Sequence, residues 1–315
     1  MYIGIDLGGT AIKAGLVDDN YKIVHSSSVP TGAQRHFSEI IKDMADLAIR
    51  VTKEAGYDIK KDVKSVGIGS PGICDTKNGV VVSSANINFK NAPICAELQK
   101  HIDLPVYLGN DANVAALGEF KVLDDDSVDH MIAITLGTGV GGGIIINKKI
   151  YDGFNGAAAE MGHFQVQMTG GEPCGCGRTG CWEAYGSVTA LIRETKRAIE
   201  AHPESAMVKE VAKNNGKVSG KTAFVCAKAG DSVAKQVVDN YIRAVAEGIA
   251  SVINIFQPQV LVIGGAISKE GDYLLNPIKK IVEECRYSND FTHTELRIAK
   301  LGNDAGIIGA ALLGE

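Results

Sequence analysis

The sequence has no apolar run of the ~18 residues that a membrane-spanning helix needs. Its N-terminal residues, MYIGIDLGG, lack the basic and long apolar regions of a signal peptide. Basic residues are not in excess, because 32 lysines and arginines stand against 37 aspartates and glutamates, a net charge of −5. Nucleic-acid binders usually present a basic face. We therefore expect a cytoplasmic protein with neither a membrane nor a nucleic acid as its partner.

Cysteine is scarce as well, with seven residues in 315, whereas hydrophobic residues make up 45% of the chain. A chain of this length and composition can bury a sufficient core, so it does not need a disulfide scaffold. Without export the compartment is reducing, and thiols there more often bind metal or stay free than form disulfides. Tandem repeats, linkers and low-complexity tracts are absent too, and the length suffices for two domains.

Strand and helix patterns alternate along the chain. Residues 3–7 show the period of two that is typical of a strand, and residues 37–55 show helical spacing of apolar side chains. Further helical patterns cover residues 92–102, 188–201, 222–229 and 232–255, and QVLVIGG is a strand between helices. This alternation predicts an α/β fold.

Two segments resemble each other. Residues 3–17, IGIDLGGTAIKAGLV, and residues 132–146, IAITLGTGVGGGIII, each read as strand, glycine turn and strand. The pair predicts a duplicated architecture with one β-rich start in each domain. The C-terminal segment NDAGIIGAALLGE predicts a helix that returns to the first domain.

Both glycine turns, and a third at GGAIS, suit phosphate binding. Glycine-rich turns expose backbone N–H groups and admit an anion without a steric clash. Neither hairpin turn fits the Walker or dinucleotide-binding patterns, and each could simply be a tight hairpin, as GGAIS could be an ordinary strand–helix turn. The candidate nucleotide-binding residues are Asp6, Gly8, Gly9, Thr10, Lys13, Gly137, Thr138, Gly139, Gly264 and Gly265.

The segment CGCGRTGCWE concentrates three cysteines within eight positions. Three thiols cannot all pair in disulfides, and a tetrahedral zinc site needs a fourth ligand, for which His163 is the nearest upstream histidine. The surrounding glycines permit the sharp turns that such a site needs. The spacing favours structural zinc bound by His163, Cys174, Cys176 and Cys181, with free thiols as the alternative.

A third motif, LGNDANVAALGE, ends a strand and enters an alanine-rich helix. Asn110 and Asp111 at this junction could serve only as a helix N-cap. Two adjacent polar side chains at the carboxyl end of a strand also suit substrate binding. The residues alone leave both interpretations open.

Taken in order, DLGGTAIK, LGTGVGGG and GGAIS are similar to the phosphate and adenosine motifs of the sugar kinase/actin/Hsp70 superfamily. With EMGH, CGCGRTGCWE and NDAN, the chain resembles the ROK family (repressors, open reading frames, kinases), most closely bacterial ROK glucokinases. The resemblance implies a two-domain actin-like ATPase (ribonuclease H-like) fold with a ligand cleft between domains. The implied domains are residues 1–115 plus 303–315, and residues 116–302 with the zinc motif.

The resemblance also implies roles. Asp111 would be the catalytic base of an ATP-dependent hexose kinase that produces glucose 6-phosphate, with Mg²⁺ near Asp6 and structural Zn²⁺ in the cysteine loop. The implied sugar-binding residues are Gly72, Asn86, Asn110, Asp111, Glu160, His163 and Glu183. Asn88-Phe89 replaces the Pro–Trp that is typical of the family after Asn86, so the contacts of that loop stay open.

The sequence leaves three alternatives open. One is N-acetylmannosamine kinase or another hexose kinase of the family, and another is a sugar sensor without catalysis. The third is a ROK repressor, whose helix-turn-helix segment would precede the first strand, which here starts at residue 2. The family also implies a homo-oligomer, a dimer or a tetramer.

Overall fold

The computed structural model describes all of residues 1–315 as a mixed α/β fold. The strands β1–β13 are Tyr2–Leu7, Ala11–Val17, Ile23–Pro30, Val66–Ser70, Ile73–Asp75, Val80–Ser83, Lys90–Ala92, Val106–Asn110, Met131–Leu136, Val140–Ile146, Lys149–Ile150, Val260–Gly264 and Glu295–Ile298. The helices α1–α11 are Phe37–Glu54, Ile59–Asp62, Ile94–Gln99, Asp111–Lys121, Glu183–Gly186, Val188–Ala201, Ala206–Lys213, Thr222–Lys228, Ser232–Phe256, Asp272–Glu284 and Ala305–Ala311. Short 3₁₀ turns include Met161–His163 and Ala266–Glu270.

Two five-stranded sheets repeat one strand order. The first runs β3-β2-β1-β4-β8 and the second β11-β10-β9-β12-β13, while β5, β6 and β7 form a small third sheet. In the first sheet β1 pairs with β2 antiparallel and with β4 parallel, and β4 pairs with β8 parallel. The predicted α/β class is confirmed, and the two glycine hairpins occupy matching positions in the two sheets.

The core of the first sheet follows from its sequence pattern. Ile3, Ile5 and Leu7 of β1 are fully buried. On α1 the apolar side chains recur every three or four residues, which places them on one face of the helix. That face packs against β2 and β3. Its buried residues are Ile40, Ile41, Met44, Ala45, Leu47, Ala48, Val51 and Thr52.

The C-terminal helix α11 packs against β1, β4 and α4, as the prediction of a returning helix requires. This contact needs glycine in the strands. A Cβ on Gly67 of β4 would lie 1.8 Å from the backbone oxygen of Ala310. A larger residue there would push the helix from the sheet, because backbone atoms cannot yield as a flexible side chain can.

Contacts between Cα atoms divide the chain into two compact units. One comprises residues 1–132, 143–159 and 300–315, and the other comprises residues 133–142 and 160–299. Helix α4 lies wholly in the first unit, so these units do not share the predicted boundary at 115/116. The division into functional domains at 115/116 and 302/303 stays a prediction.

None of the helices is long and apolar enough to cross a membrane.

Candidate active site and metal cluster

The first glycine turn connects β1 and β2. Asp6 and Lys13 are cross-strand partners in this hairpin, and the Lys13 Nζ lies 3.2 Å from an Asp6 carboxylate oxygen. The backbone N–H of Gly8 donates to the Ala11 carbonyl at 3.0 Å and closes the turn. Gly9 and the neighbouring Thr10 remain exposed at its tip. The turn therefore presents a glycine backbone, a hydroxyl and a partly exposed carboxylate together.

The loop with Asn86 lies against this turn. A Cβ on Gly9 would be 3.2 Å from the Asn86 backbone oxygen, so the two segments touch. The Asn86 side chain is exposed, whereas Phe89, the aromatic that replaces the family tryptophan, is buried at 3% exposure. The aromatic residue thus serves the core.

Asn110 and Gly72 meet where the parallel strands β4 and β8 end. Ser70 pairs with Asn110 in register, and the Asn110 side-chain amide donates to the Gly72 carbonyl at 3.1 Å. The Asn110 side-chain oxygen accepts from the backbone N–H groups of Ala112 and Asn113. Asn110 is therefore the N-cap of α4, and the same amide ties the SPG loop to the helix.

Asp111 begins α4, and its Oδ1 accepts from the Ala112 backbone at 2.9 Å. A second carboxylate near it was not predicted from the sequence. Asp152 accepts from the Asn113 side-chain amide at 3.2 Å, and burial raises the pKa of Asp152. Burial, together with the charges of Asp111 and Asp152, raises the pKa of the Cys74 thiol to about 12. Asp152 follows β11 in an ordinary turn sequence, so no pattern distinguishes it from a surface aspartate.

The second glycine turn connects β9 and β10 and lies against Glu183. The Glu183 Oε2 accepts from the Val140 backbone N–H at 3.0 Å. A Cβ on Gly139 would lie 2.2 Å from that oxygen, so only glycine permits this approach. Thr138 is exposed at the tip, and its carbonyl accepts from the Thr189 hydroxyl at 2.7 Å. A predicted phosphate turn and a predicted sugar ligand are thus direct neighbours.

His163, Cys174, Cys176 and Cys181 converge as the sequence predicts. Their four ligand atoms all lie within 4.8 Å of one another. The Cys174 Sγ lies 3.6 Å from the His163 Nδ1, and the sulfurs of Cys176 and Cys181 are 3.7 Å apart. A tetrahedral ion with metal–sulfur bonds of about 2.3 Å places its sulfur ligands ~3.8 Å apart. The donor set and its spacing therefore fit a closed tetrahedral metal site.

Turns inside the loop hold these donors. The Cys174 backbone N–H donates to the Arg178 carbonyl at 2.8 Å, and the Arg178 guanidinium donates to the His163 carbonyl at 2.6 Å. Hydrogen bonding from the Arg178 backbone and side chain lowers the pKa of the Cys176 thiol to about 6. Burial raises the pKa of Cys174 to about 12. Arg178 thus ties the cysteine loop to the histidine, a role that the sequence did not suggest.

Glu160 precedes the 3₁₀ turn Met161–His163, and His163 is the last residue of that turn. The two ring nitrogens of His163 face different groups. The Nδ1 lies beside Cys174, and the Nε2 lies 3.9 Å from a Glu160 carboxylate oxygen. Glu160 is the more exposed of the pair, at 66% against 29% for His163. This arrangement leaves the Glu160 carboxylate and the histidine Nε2 available to a ligand.

The third glycine pair closes β12. Gly264 is its last residue, and Gly265 precedes the 3₁₀ turn Ala266–Glu270. The buried Ser268 returns a hydroxyl hydrogen bond to the Gly265 carbonyl at 2.8 Å. The carboxyl end of a buried strand is where flat ligands and phosphates approach in α/β folds.

Comparison with known proteins places this geometry in a family. The ROK family model matches residues 2–315. The chain is 39% identical to a glucokinase of Halalkalibacterium halodurans, over 99% of this chain and 94% of the relative. It is 30% identical to an N-acetylmannosamine kinase of Salmonella typhi, over 99% of this chain and 98% of the relative.

A solved structure is similar throughout. It is the ROK family glucokinase of Streptomyces griseus in complex with glucose and AMPPNP, with a TM-score of 0.83 and 37% identity. The likeness covers 99% of this chain and 98% of that one, which confirms the predicted sugar-kinase fold class. The chain belongs to the ROK family.

Proposed function

We propose that this protein is an ATP-dependent hexose kinase that converts glucose to glucose 6-phosphate. The observation that carries the proposal is the polar junction at the end of β8, where Asn110 is tied to Gly72 and Asp111 begins the helix. It occurs in a chain that is similar over its whole length to a glucokinase crystallised with glucose and AMPPNP.

In the proposed reaction Asp111 accepts the proton of the sugar C6 hydroxyl as that oxygen attacks the γ-phosphorus. The bond from phosphorus to the β–γ bridging oxygen breaks, and ADP leaves. Phosphoryl transfer depends mainly on positioning and on stabilising charge. The glycine turns at Gly8–Thr10 and Gly137–Gly139 would supply backbone N–H donors to the phosphates, and Lys13 a cation. Gly264 and Gly265 would lie against the nucleoside.

Mg²⁺ is proposed at Asp6, whose partly exposed carboxylate is the oxygen ligand that this ion prefers. Bound there with the phosphates, Mg²⁺ would neutralise charge on the transferring group. The ion pair with Lys13 holds the Asp6 side chain in place at the turn.

Zn²⁺ is proposed in the cysteine cluster, and its role is structural. Four protein ligands close a tetrahedral site and leave no position for substrate. With the Nδ1 of His163 on the metal, the Nε2–H can donate to a sugar hydroxyl. Glu160 and Glu183 would accept from neighbouring hydroxyls, and Asn86 and Asn110 would complete the sugar contacts.

A coupled assay of kcat/KM for glucose, 2-deoxyglucose, mannose, fructose and N-acetylmannosamine tests the proposal. We expect glucose to be the best of the five substrates. Loss of one hydroxyl removes a hydrogen bond to a carboxylate, which is worth about 1.5–3 kcal/mol, so 2-deoxyglucose should be worse by roughly tenfold or more. If N-acetylmannosamine is the best substrate, the proposed kinase activity is correct but glucose as its substrate is wrong.

The second candidate function is a sensor that binds sugar without phosphorylating it. If the protein binds glucose but does not phosphorylate it, it is this sensor and not a kinase. The homo-oligomeric state, the cytoplasmic location and a place in glycolysis belong to the same proposal. Sedimentation of the purified protein tests the first of these.

A further inference from the structure

A cavity of about 640 Å³ lies between helices α6 and α9, and none of its lining residues has a role in the proposed reaction. Leu191, Ala198 and Ala201 line it from α6, and Val237 and Ala244 from α9. These positions recur at helical spacing, so they form the facing sides of the two helices. Larger side chains at the three alanine positions would fill the space between the two helices, so the alanines explain why a cavity remains.

One polar group in this cavity lacks a partner. The Tyr241 side chain lines the space, is 4% exposed, and its hydroxyl makes no hydrogen bond. Its ring packs edge-on against Phe224, with centroids 6.3 Å apart, and is therefore held in position. Burial raises the pKa of this phenol, so at neutral pH the hydroxyl is a donor. A buried hydroxyl without a partner is unfavourable, and a ligand acceptor would remove that cost.

The charged groups at the cavity are already satisfied. Arg197 bonds both Glu172 and Glu194, at 2.7 and 2.9 Å, and Arg193 bonds Glu194 at 2.8 Å. Two arginines and two glutamates thus neutralise one another. An anionic ligand would have to break these pairs, whereas an uncharged ligand leaves them intact.

We propose that the α6–α9 cavity binds an uncharged small molecule with an apolar body and one acceptor that receives the Tyr241 hydroxyl hydrogen. The volume lies within the range of about 300–1,000 Å³ that is usual for ligand pockets. Tyrosine rings and alanine and valine side chains suit an aromatic or alicyclic body.

The cavity is connected to Glu183. The Trp182 indole donates to the carbonyl of Ala244, a lining residue, at 2.9 Å. The Tyr185 hydroxyl accepts from the backbone N–H of Glu172, another lining residue, at 2.8 Å. Trp182 and Tyr185 flank Glu183 on both sides in the sequence. Occupancy should therefore alter the KM for glucose, a consequence that rests on the proposed role of Glu183.

Benzophenone is a suitable probe because it has an aromatic body and one carbonyl acceptor. Diphenylmethane keeps the body without the acceptor, and 4-benzoylbenzoate adds a negative charge. Trp182, the only tryptophan, reports binding by its fluorescence. Irradiation of bound benzophenone, followed by peptide mass spectrometry, locates the site. We expect saturable binding of benzophenone and cross-links to α6 or α9.

Two variants separate this site from others. Tyr241→Phe removes only the hydroxyl and should weaken benzophenone binding by roughly 2- to 12-fold, with diphenylmethane unchanged. Because it deletes an unpaired buried polar group, this variant should fold at least as well as the parent. Ala198→Phe fills the cavity and should abolish binding of both. Tyr287→Phe, at an exposed tyrosine outside the cavity, is the matched control.

Four outcomes would overturn the inference. The first is that benzophenone shows no saturable binding, and the second is that Tyr241→Phe and Ala198→Phe bind it with the affinity of the parent. The third is that 4-benzoylbenzoate binds more strongly than benzophenone. The fourth is a changed oligomeric state in Ala198→Phe, which would assign the cavity to an interface between copies of the chain. With benzophenone bound, we expect the glucose KM to change at least twofold in the parent and not in Ala198→Phe. If benzophenone binds but the glucose KM is unchanged, only the proposed connection to Glu183 is wrong. If the protein does not phosphorylate glucose even without benzophenone, the proposed kinase function is wrong instead.

Discussion

Ala159 provides a direct test of how the backbone positions Glu160. It is a non-glycine residue with φ of 69°, in the left-handed region. This conformation costs an L-residue about 1–2 kcal/mol, because its Cβ crowds the following carbonyl oxygen. Glycine avoids that cost but gains freedom in the unfolded chain, worth about 0.4–1 kcal/mol. Ala159→Gly should therefore stabilise the protein by about 0.5–1 kcal/mol.

The neighbouring alanine is the matched control. Ala158 has no positive φ, and the side chains of both alanines are half-buried. Ala158→Gly should destabilise by about 0.4–1 kcal/mol, since only the unfolded-state term applies. Urea unfolding followed by circular dichroism should thus give opposite signs. The argument from φ is wrong if Ala159→Gly is no more stable than Ala158→Gly. A freer backbone beside Glu160 should also raise the glucose KM and leave kcat little changed.

The remaining predictions concern the proposed machinery. Asp111→Asn should keep glucose binding, measured by calorimetry, and lose ~10²- to 10⁴-fold in kcat, the usual range for a general base; a near-parental kcat would reject the assignment. Elemental analysis should find one zinc per chain, and Cys176→Ser should lower it and raise the glucose KM more than the ATP KM; metal-free native protein contradicts this. Gly139→Ala should displace Glu183, whose Oε2 would lie 2.2 Å from the new Cβ, and raise the glucose KM about tenfold or more. Gly137→Ala, with nothing within 4 Å, is the folding control, and equal KM values in both variants would refute the steric argument.

Long amphipathic elements were predictable because their period is repeated several times. The helical patterns at residues 37–55, 188–201 and 232–255 correspond to Phe37–Glu54, Val188–Ala201 and Ser232–Phe256. The sequence did not reveal Ala206–Lys213, in which Met207 is the buried residue, so the apolar period is short. It also did not reveal Asp272–Glu284, which contains Pro277, a residue that usually breaks helices.

The candidate site divides in the same way. The convergence of His163 with Cys174, Cys176 and Cys181 was predictable because the three cysteines are close in sequence and the histidine is eleven residues upstream of Cys174. Asp152 and Arg178 were missed, because their surroundings depend on burial and on carbonyls that the sequence does not specify. Gly139 was predicted to bind the nucleotide and Glu183 to bind the sugar. Their contact could not be predicted from the sequence, because only the folded chain brings the two segments together.

Glu183 connects the cysteine cluster to the proposed chemistry. Its Oε1 lies 3.6 Å from the Cys174 Sγ, and its Oε2 accepts from the Val140 backbone at 3.0 Å. Each carboxylate oxygen therefore has one fixed neighbour, which orients the lone pairs left for a sugar hydroxyl. A metal at Cys174 would displace the thiol proton, so the sulfur could no longer donate to Oε1, but the ion would fix the cysteine loop that leads into Glu183, and the Val140 N–H would still hold Oε2. Loss of metal should therefore free the loop and loosen Glu183 without releasing it. The proposed zinc thus acts on sugar affinity through the position of this side chain, and no step of the proposed reaction takes place on the metal.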